Sequence, residues 1–218
     1  MIEEYKSETG VDKWIRENVF TDLSYKGLFV EVGAATPELI SNSYHYRING
    51  WRTISIEPNP KFVKLHKLAG SEVYQYACSD EDNNNGLFVV VGTDENPDGI
   101  TYHSFSHLSD NSLIDKAIAD EWIEIYNAIN KKEIKIKVRK LDTILKQLNI
   151  THIDILTIDV EGNEMKVLNG IDFNTHRPTV IVLENIGGYF NFIQILEQYG
   201  YEFKAKLGEY DEVYMLKR

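Results

Sequence analysis

Three stretches of this chain are too apolar to lie on a surface. Gly27-Leu-Phe-Val-Glu-Val-Gly33, Ile153-Asp-Ile-Leu-Thr-Ile-Asp159 and Thr179-Val-Ile-Val-Leu-Glu184 each read as a buried strand. Trp51 to Glu57 and Glu72 to Tyr76 supply two more. Between them lie segments with helical spacing: roughly Leu39 to Asn49, Pro60 to Ala69, Leu141 to Asn149, Asn163 to Leu168 and Tyr189 to Tyr199. A short amphipathic helix around Trp14, Ile15 and Val19 precedes them. Strands alternating with helices of this length predict an α/β sandwich, a mostly parallel sheet with right-handed crossovers and helices on both faces. The last two strands, Tyr201 to Lys206 and Glu212 to Leu216, flank a turn containing Gly208, which predicts an antiparallel hairpin at one side of the sheet.

The alternation breaks in the middle of the chain. Leu87 to Val91 reads as a strand between the turn clusters DNNNG and TDENPDG. From about 92 to 112 the chain is polar and without period, long enough to be read as a lid-like insertion. A helix follows with Leu113, Ala117, Ile118, Trp122, Ile125, Tyr126 and Ile129 in one stripe, then a half-exposed strand, Ile134 to Val138. With no internal repeat and no linker, a single domain over 1–218 is expected.

Composition narrows the classes of function. The 34 Asp and Glu exceed the 23 Lys and Arg, a formal net charge of −11. That balance disfavours a nucleic-acid partner, because such affinity comes largely from neutralising phosphates. The lone Cys78 excludes an internal disulfide framework and a multi-cysteine zinc site. No run reaches the ~18 apolar residues of a membrane span. The opening MIEEYKSETG lacks the regions of a signal peptide, so a cytoplasmic protein is expected.

The acids have a pattern. In open α/β sheets ligands bind outside the carboxyl ends of the strands. Glu31 stands two residues before Gly33, Glu57 ends the second strand, Asp159 ends another with Glu161 just beyond, and Glu184 ends the next. Such acceptor-only groups suit ribose hydroxyls, an amino group or a metal ion; helix capping is the alternative for any one of them. The first turn, Glu31-Val-Gly-Ala-Ala-Thr-Pro-Glu38, lacks G-x-G-x-x-G, and no Gly-Lys-Ser/Thr follows elsewhere, which removes the main supports of NAD and P-loop readings. The small residues Gly33, Ala34 and Ala35 still admit a cofactor without phosphates. Glu57 stands where α/β nucleoside sites grip a ribose diol.

Together these segments resemble the FkbM family of S-adenosylmethionine-dependent methyltransferases, which have the class I methyltransferase fold. The matching pieces are FVEVGA at 29–34, SNS at 41–43, GWRTISIEPNP at 50–60, LDTIL at 141–145, DILTIDVEGNEMKVLNG at 154–170 and LEN at 183–185. Ala35 and Pro37 depart from the Asn and Gly common at those places in the family. The resemblance implies that Glu31, Gly33, Ala34 and Ser43 surround the methionine part of S-adenosylmethionine. It implies that Glu57 binds the ribose, with Pro58 and Asn59 shaping the turn, and that Ala77, Cys78 and Ser79 border the adenine. Asp159 and Glu161 would face the sulfonium and the acceptor. The activity implied is O-methylation of a sugar or glycan; a small natural product as acceptor, and a non-catalytic nucleoside-binding module, are the alternatives.

An acceptor hydroxyl must lose its proton, by a general base or on a metal. Asp159 with Glu184-Asn185 resembles the pattern of metal-dependent O-methyltransferases of the catechol type, and oxygen ligands of this kind suit Mg²⁺ or Mn²⁺. For a histidine base the candidates are His103 and His107 in the irregular segment and His45 just after SNS. His66 and His152 read as structural or solvated, and His176 sits in a loop.

Overall fold

In the computed structural model, which describes residues 2–92, 105–111 and 120–217, the elements follow the expected alternation. They are α1 (Val11–Asn18), β1 (Leu28–Val32), α2 (Tyr44–Ile48), β2 (Arg52–Ile56), α3 (Pro60–Leu68), β3 (Glu72–Tyr74), β4 (Ala77–Cys78), β5 (Asn83–Val91) and β6 (His107–Leu108). Then come α4 (Asp120–Ala128), β7 (Lys131–Arg139), α5 (Leu141–Gln147), β8 (Ile155–Ile158), α6 (Glu164–Asn169), β9 (Val180–Glu184), α7 (Phe192–Leu196), β10 (Tyr201–Leu207) and β11 (Asp211–Leu216). No helix among the described residues is long and apolar enough to cross a membrane.

Seven strands form one sheet in the order β10-β11-β9-β8-β1-β2-β3. Pairings from β9 through β8, β1 and β2 to β3 are parallel, while β10 and β11 form the expected antiparallel hairpin, with β11 also antiparallel to β9. Period-two alternation divides the strand residues between two buried layers. Val30, Val32, Leu156, Ile158, Ile181 and Leu183 pack on one face with Leu141, Ile144, Leu145, Phe192 and Leu196. Phe29, Ile155, Val180, Val182 and Val213 pack on the other with Val11, Ile15, Tyr46 and Trp51. The strands read as continuous apolar runs because both faces are covered.

Local chemistry sets the helix ends. Asn59 accepts the Lys61 N–H at 3.0 Å and Pro60 opens α3, the usual entry to a helix. The expected helix from Leu39 begins only at Tyr44, because the carboxylate of Glu31 draws Asn42 and Ser43 into a loop.

A second sheet, β4-β7-β5-β6, joins the strands expected at Leu87–Val91 and Ile134–Val138 apart from the large sheet. The DNNNG cluster, read as a turn, lies at the start of β5, so β5 and β7 pair as nine-residue antiparallel strands. Ala77, Phe88, Leu108, Ile136 and Val138 form the inner layer of this sheet. Val91 on its other side packs with Tyr126 and Ile123 of α4. Most of the expected insertion, including His103, lies outside the described residues.

Candidate functional site

Strand order reverses direction between β1 and β8, the switch point at which open α/β sheets bind ligands. A cavity of about 750 Å³ opens there, lined by the ends of β1, β2, β8 and β9, by Glu8 before α1, and by the inner layer of the second sheet.

The close approach that forms its floor depends on Gly33. Its φ is +81°, and a Cβ would lie 1.6 Å from the Asp159 carbonyl oxygen. The turns after β1 and β8 therefore touch backbone to backbone. Ala35 follows with φ +42°, a conformation costly for an L-residue with a side chain.

Glu57 binds these turns together. Its two oxygens accept the N–H of Ala35 at 2.9 Å and of Asn59 at 2.7 Å. Burial pushes its carboxyl up to about 8 against the pull of those two bonds, with the nearby acids Asp159 and Glu31 adding to the rise. Each oxygen keeps a further lone pair for a ligand hydroxyl. Glu31, also lining the cavity, accepts the Asn42 N–H at 2.9 Å and the Ser43 hydroxyl at 2.6 Å, and burial pushes it up to about 7.

The turn after β8 is held by Glu164, which accepts the N–H groups of Val160 and Gly162, each at 3.0 Å. That clamp gives the segment DVEGNE its shape and presents Asp159 and Glu161, both half-buried, to the cavity. Burial raises Asp159 to about 8, helped by the charges of Asp211 and Glu164, while a hydrogen bond shared with Glu184 moderates the rise. Glu161 and Glu184 lie well above the ordinary carboxylate range, first through burial and then through the surrounding acids.

The cavity wall brings together Glu31, Gly33, Ala34, Glu57, Pro58, Cys78, His107, Asp159, Glu161 and Glu184. Burial pushes the Cys78 thiol up to about 12, so it is no nucleophile at neutral pH. His107 sits on β6 with Nδ1 at 2.9 Å from the Phe105 carbonyl and Nε2 at 3.5 Å from the Tyr126 hydroxyl. The carbonyl can only accept, so it fixes the N–H on Nδ1 and makes Nε2 the basic nitrogen.

Other expected residues stand elsewhere. His45 is fully buried away from the cavity, stacked on Tyr5 at 4.2 Å, with Nδ1 on the Glu4 carbonyl and Nε2 facing Arg16 Nε. Burial lowers its pKa. Its position is corrected from catalytic candidate to a packing residue under the N-terminal segment. Ser43 serves Glu31 from behind the wall. Ser79 turns its hydroxyl to Asp80 and lies outside the lining, so the border expected at 77–79 stops at Cys78.

The expected metal set does not assemble. The Asn185 Oδ1 accepts the Phe190 N–H at 3.1 Å, and its Nδ2 donates to the Phe190 carbonyl and to Glu212. With its amide committed to that loop, Asn185 does not line the cavity, and no three acids, histidines or cysteines are arranged to hold an ion among the described residues. The residues present do not fit the metal reading.

Several lining residues were given no role in the sequence: Glu8, Lys206, Tyr210 and Asp211 carry no motif, and Asn163 lies inside the 154–170 segment without an assignment. Asn163 donates to the Cys78 carbonyl at 3.2 Å and joins the two sheets across the cavity. Thr9 donates to Asp211, and Glu8 bonds Tyr210, which seats the N-terminal segment over the ends of β9 and β11.

A crystal structure of Methyltransferase FkbM from Methylobacillus flagellatus KT is similar to this chain, with a TM-score of 0.50 and 11% identity, covering 98% of this chain and 48% of that one. The chain thus spans about half the length of that structure, and the likeness supports the class I methyltransferase fold. A search of curated proteins finds no significant match. The methyltransferase FkbM domain matches residues 31–203, from β1 into β10, and the chain belongs to that family.

Proposed function

We propose that this FkbM-family methyltransferase uses S-adenosylmethionine and transfers the methyl group to a hydroxyl oxygen of a sugar or glycan. The carrying observation is Glu57, a buried carboxylate at the end of β2, fixed by two backbone N–H groups with lone pairs left for a ribose diol. The small turn Gly33 to Ala35 and the acids across it suit a cofactor that is cationic and has no phosphates. When bound, S-adenosylmethionine supplies a methyl group made electrophilic by its sulfonium.

The chain's own part is to bind, align and deprotonate. Glu57 accepts from the ribose, and Ala77 and Cys78 border the base. Asp159 offsets the positive charge beside the reacting centre. His107 Nε2, its ring held by the Phe105 carbonyl, takes the proton of the acceptor hydroxyl when that hydroxyl replaces the long Tyr126 contact of 3.5 Å. Alignment of acceptor, methyl and sulfur contributes several kcal/mol, to about 7–11 in ideal cases. The polar acceptor side, with Lys206 and Tyr210 in the wall and Tyr189 exposed over Gly187 at the rim, supports a sugar over a closed apolar pocket.

Calorimetry with S-adenosylmethionine tests the reading. Binding is expected, with affinity at least about tenfold weaker in Glu57→Ala, because the substitution removes the diol acceptor and leaves two buried N–H groups unmet. No binding at millimolar concentration overturns the cofactor assignment. His107→Ala should lower kcat by about 10²-fold or more while cofactor affinity stays within threefold. An unchanged kcat would remove His107 from the chemistry.

A further inference from the structure

The turn after β8 is shaped from two directions. Glu161 stands in it with φ +57°, a left-handed conformation unfavourable for a residue with a side chain. On either side of it, the N–H groups of Val160 and Gly162 are fixed by Glu164 from within the same segment. The carbonyl of Glu161 is taken from elsewhere: Asn111 Nδ2 donates to it at 2.7 Å. Asn111 is buried, 7% exposed, and follows β6 of the second sheet, fifty positions earlier in the chain. A backbone conformation of this kind persists only where its surroundings hold it. One of the groups that hold it therefore belongs to the other sheet.

A second observation ties Asn111 to His107. The Asn111 N–H donates to the Leu108 carbonyl at 3.0 Å, closing a β-turn directly after His107. Within that turn the Ser109 N–H donates to the Leu87 carbonyl of β5 at 2.9 Å. A short, closed span thus joins the imidazole of His107 to the side chain that holds Glu161. β6 itself is an edge strand with two residue pairs, Leu108 with Phe88 and His107 with Val89. Those pairs set where β6 lies along β5; they do not set how far this edge stands from the large sheet. The ion pair of Lys166 with Asp110 also crosses the gap, at 3.1 Å, but its partners are 37% and 70% exposed and it adds little. The buried amide of Asn111 is the stronger tie.

We propose that Asn111 is a positioning residue for methyl transfer: by holding the Glu161 carbonyl it fixes the distance between His107 on the second sheet and the turn after β8 on the large one. The proposal rests on the methyltransferase reading given above and on His107 as the base. The reaction needs acceptor oxygen, methyl carbon and sulfur in line while the base reaches the acceptor proton. Glu57 and the turn Gly33 to Ala35 place the cofactor from the large sheet, whereas His107 approaches from a different sheet. The two must be brought into register across the cavity, and a small error in that spacing misplaces the base without loosening the cofactor. Asn111 touches neither ligand nor reacting atoms and acts through the residues at the two ends of its span.

The test compares Asn111→Asp, which keeps the volume and removes the donor, with Asn111→Ala; if one folds poorly, the other carries it. Turnover is measured with labelled S-adenosylmethionine and a mixture of methyl glycosides, and cofactor affinity by calorimetry. Both variants should lose about tenfold to a hundredfold in kcat, with acceptor KM and S-adenosylmethionine affinity within about threefold. In a His107→Ala background the same substitutions should cost less than about twofold, because an absent base cannot be misplaced. Hydrogen exchange of the apoprotein should be about tenfold faster at residues 105–111 in both variants and unchanged in β1 and β2. An unchanged kcat, losses that multiply in the double variants, or unchanged exchange at 105–111 each overturns the proposal. Failure of S-adenosylmethionine to bind, or of every methyl glycoside to be methylated, strikes the functional reading instead, and the exchange measurement still decides whether Asn111 holds this edge.

Discussion

The carboxyls on the two sides of the cavity are treated very differently. On the β1–β2 side, Glu31 and Glu57 each hold two hydrogen bonds from the protein, one on each oxygen. Across the switch point, Glu184 meets Asp159, and Asp211 faces Glu184 in the register. The first pair is finished before any ligand arrives, as preorganised recognition requires. The second group is held by strand pairing, by the Thr9 hydroxyl on Asp211 and by the hydrogen bond between Asp159 and Glu184. Burial raises both sets, but backbone donors restrain Glu31 and Glu57, whereas neighbouring acids push Glu161 and Glu184 further.

The sharpest way to break this contrast is to separate the two sides. Gly33→Ala places a Cβ 1.6 Å from the Asp159 carbonyl oxygen, at a φ of +81°. The turns after β1 and β8 can no longer touch. A loss of about 4 kcal/mol or more is expected, seen as a collapse of the thermal midpoint or failure to obtain folded protein. A midpoint within a few degrees of the wild type would mean that the two sides are not joined at this contact.

Much of this division is already visible in the residues, and part of it is not. Buried strands announce themselves by apolar runs, so β1, β2, β8 and β9 fall within a residue or two of their expected limits. The acids at these ends are legible for the same reason: Glu57, Asp159 and Glu184 close mostly apolar runs, and Glu31 stands one residue before the end of β1. The second sheet was hidden because β4 has two residues and pairs with β7 some sixty positions later, a contact with no local signal. Glu8, Tyr210 and Asp211 were hidden because they belong to loops and a strand start without a motif. Asn185 misled because its side-chain chemistry fits a ligand and its loop claims it first. His45 misled likewise: adjacency in sequence to Ser43 puts it on the opposite face of a short helix.

A smaller effect distinguishes the sides by pH. Raised carboxyl pKa values mean that the folded apoprotein holds more protons than the unfolded chain at neutral pH, so stability falls as pH rises through them. Glu31 is pushed up to about 7, and Glu57 and Asp159 to about 8. Burial holds His66 down to about 4 and lowers His45 and His176, which makes stability rise with pH below their unfolded value near 6.5. The window from pH 6.5 to 8.5 therefore isolates the acids. There the midpoint of the apoprotein should decline, and the increase in midpoint caused by S-adenosylmethionine should grow, because a cationic ligand favours the ionised site. Glu57→Gln should remove one raised group and flatten the decline. A midpoint that is level or rising across this window in the wild type would show that the acids are already ionised without a ligand.

The mildest prediction concerns the finished side. Ala35 donates its N–H to Glu57 while holding φ at +42°, where the family commonly carries Asn. Asn and Gly enter that region at less cost than Ala. Ala35→Gly relieves about 1 kcal/mol of backbone strain and gives back part of it through the greater freedom of glycine in the unfolded chain. A net gain of a few tenths of a kcal/mol is expected, read as a rise of one or two degrees in the thermal midpoint, with S-adenosylmethionine affinity unchanged because the N–H still reaches Glu57. A fall in stability would show that Ala35 is not strained. A fall in affinity at equal stability would show instead that its methyl group touches the cofactor, and that the finished side recognises more than the ribose.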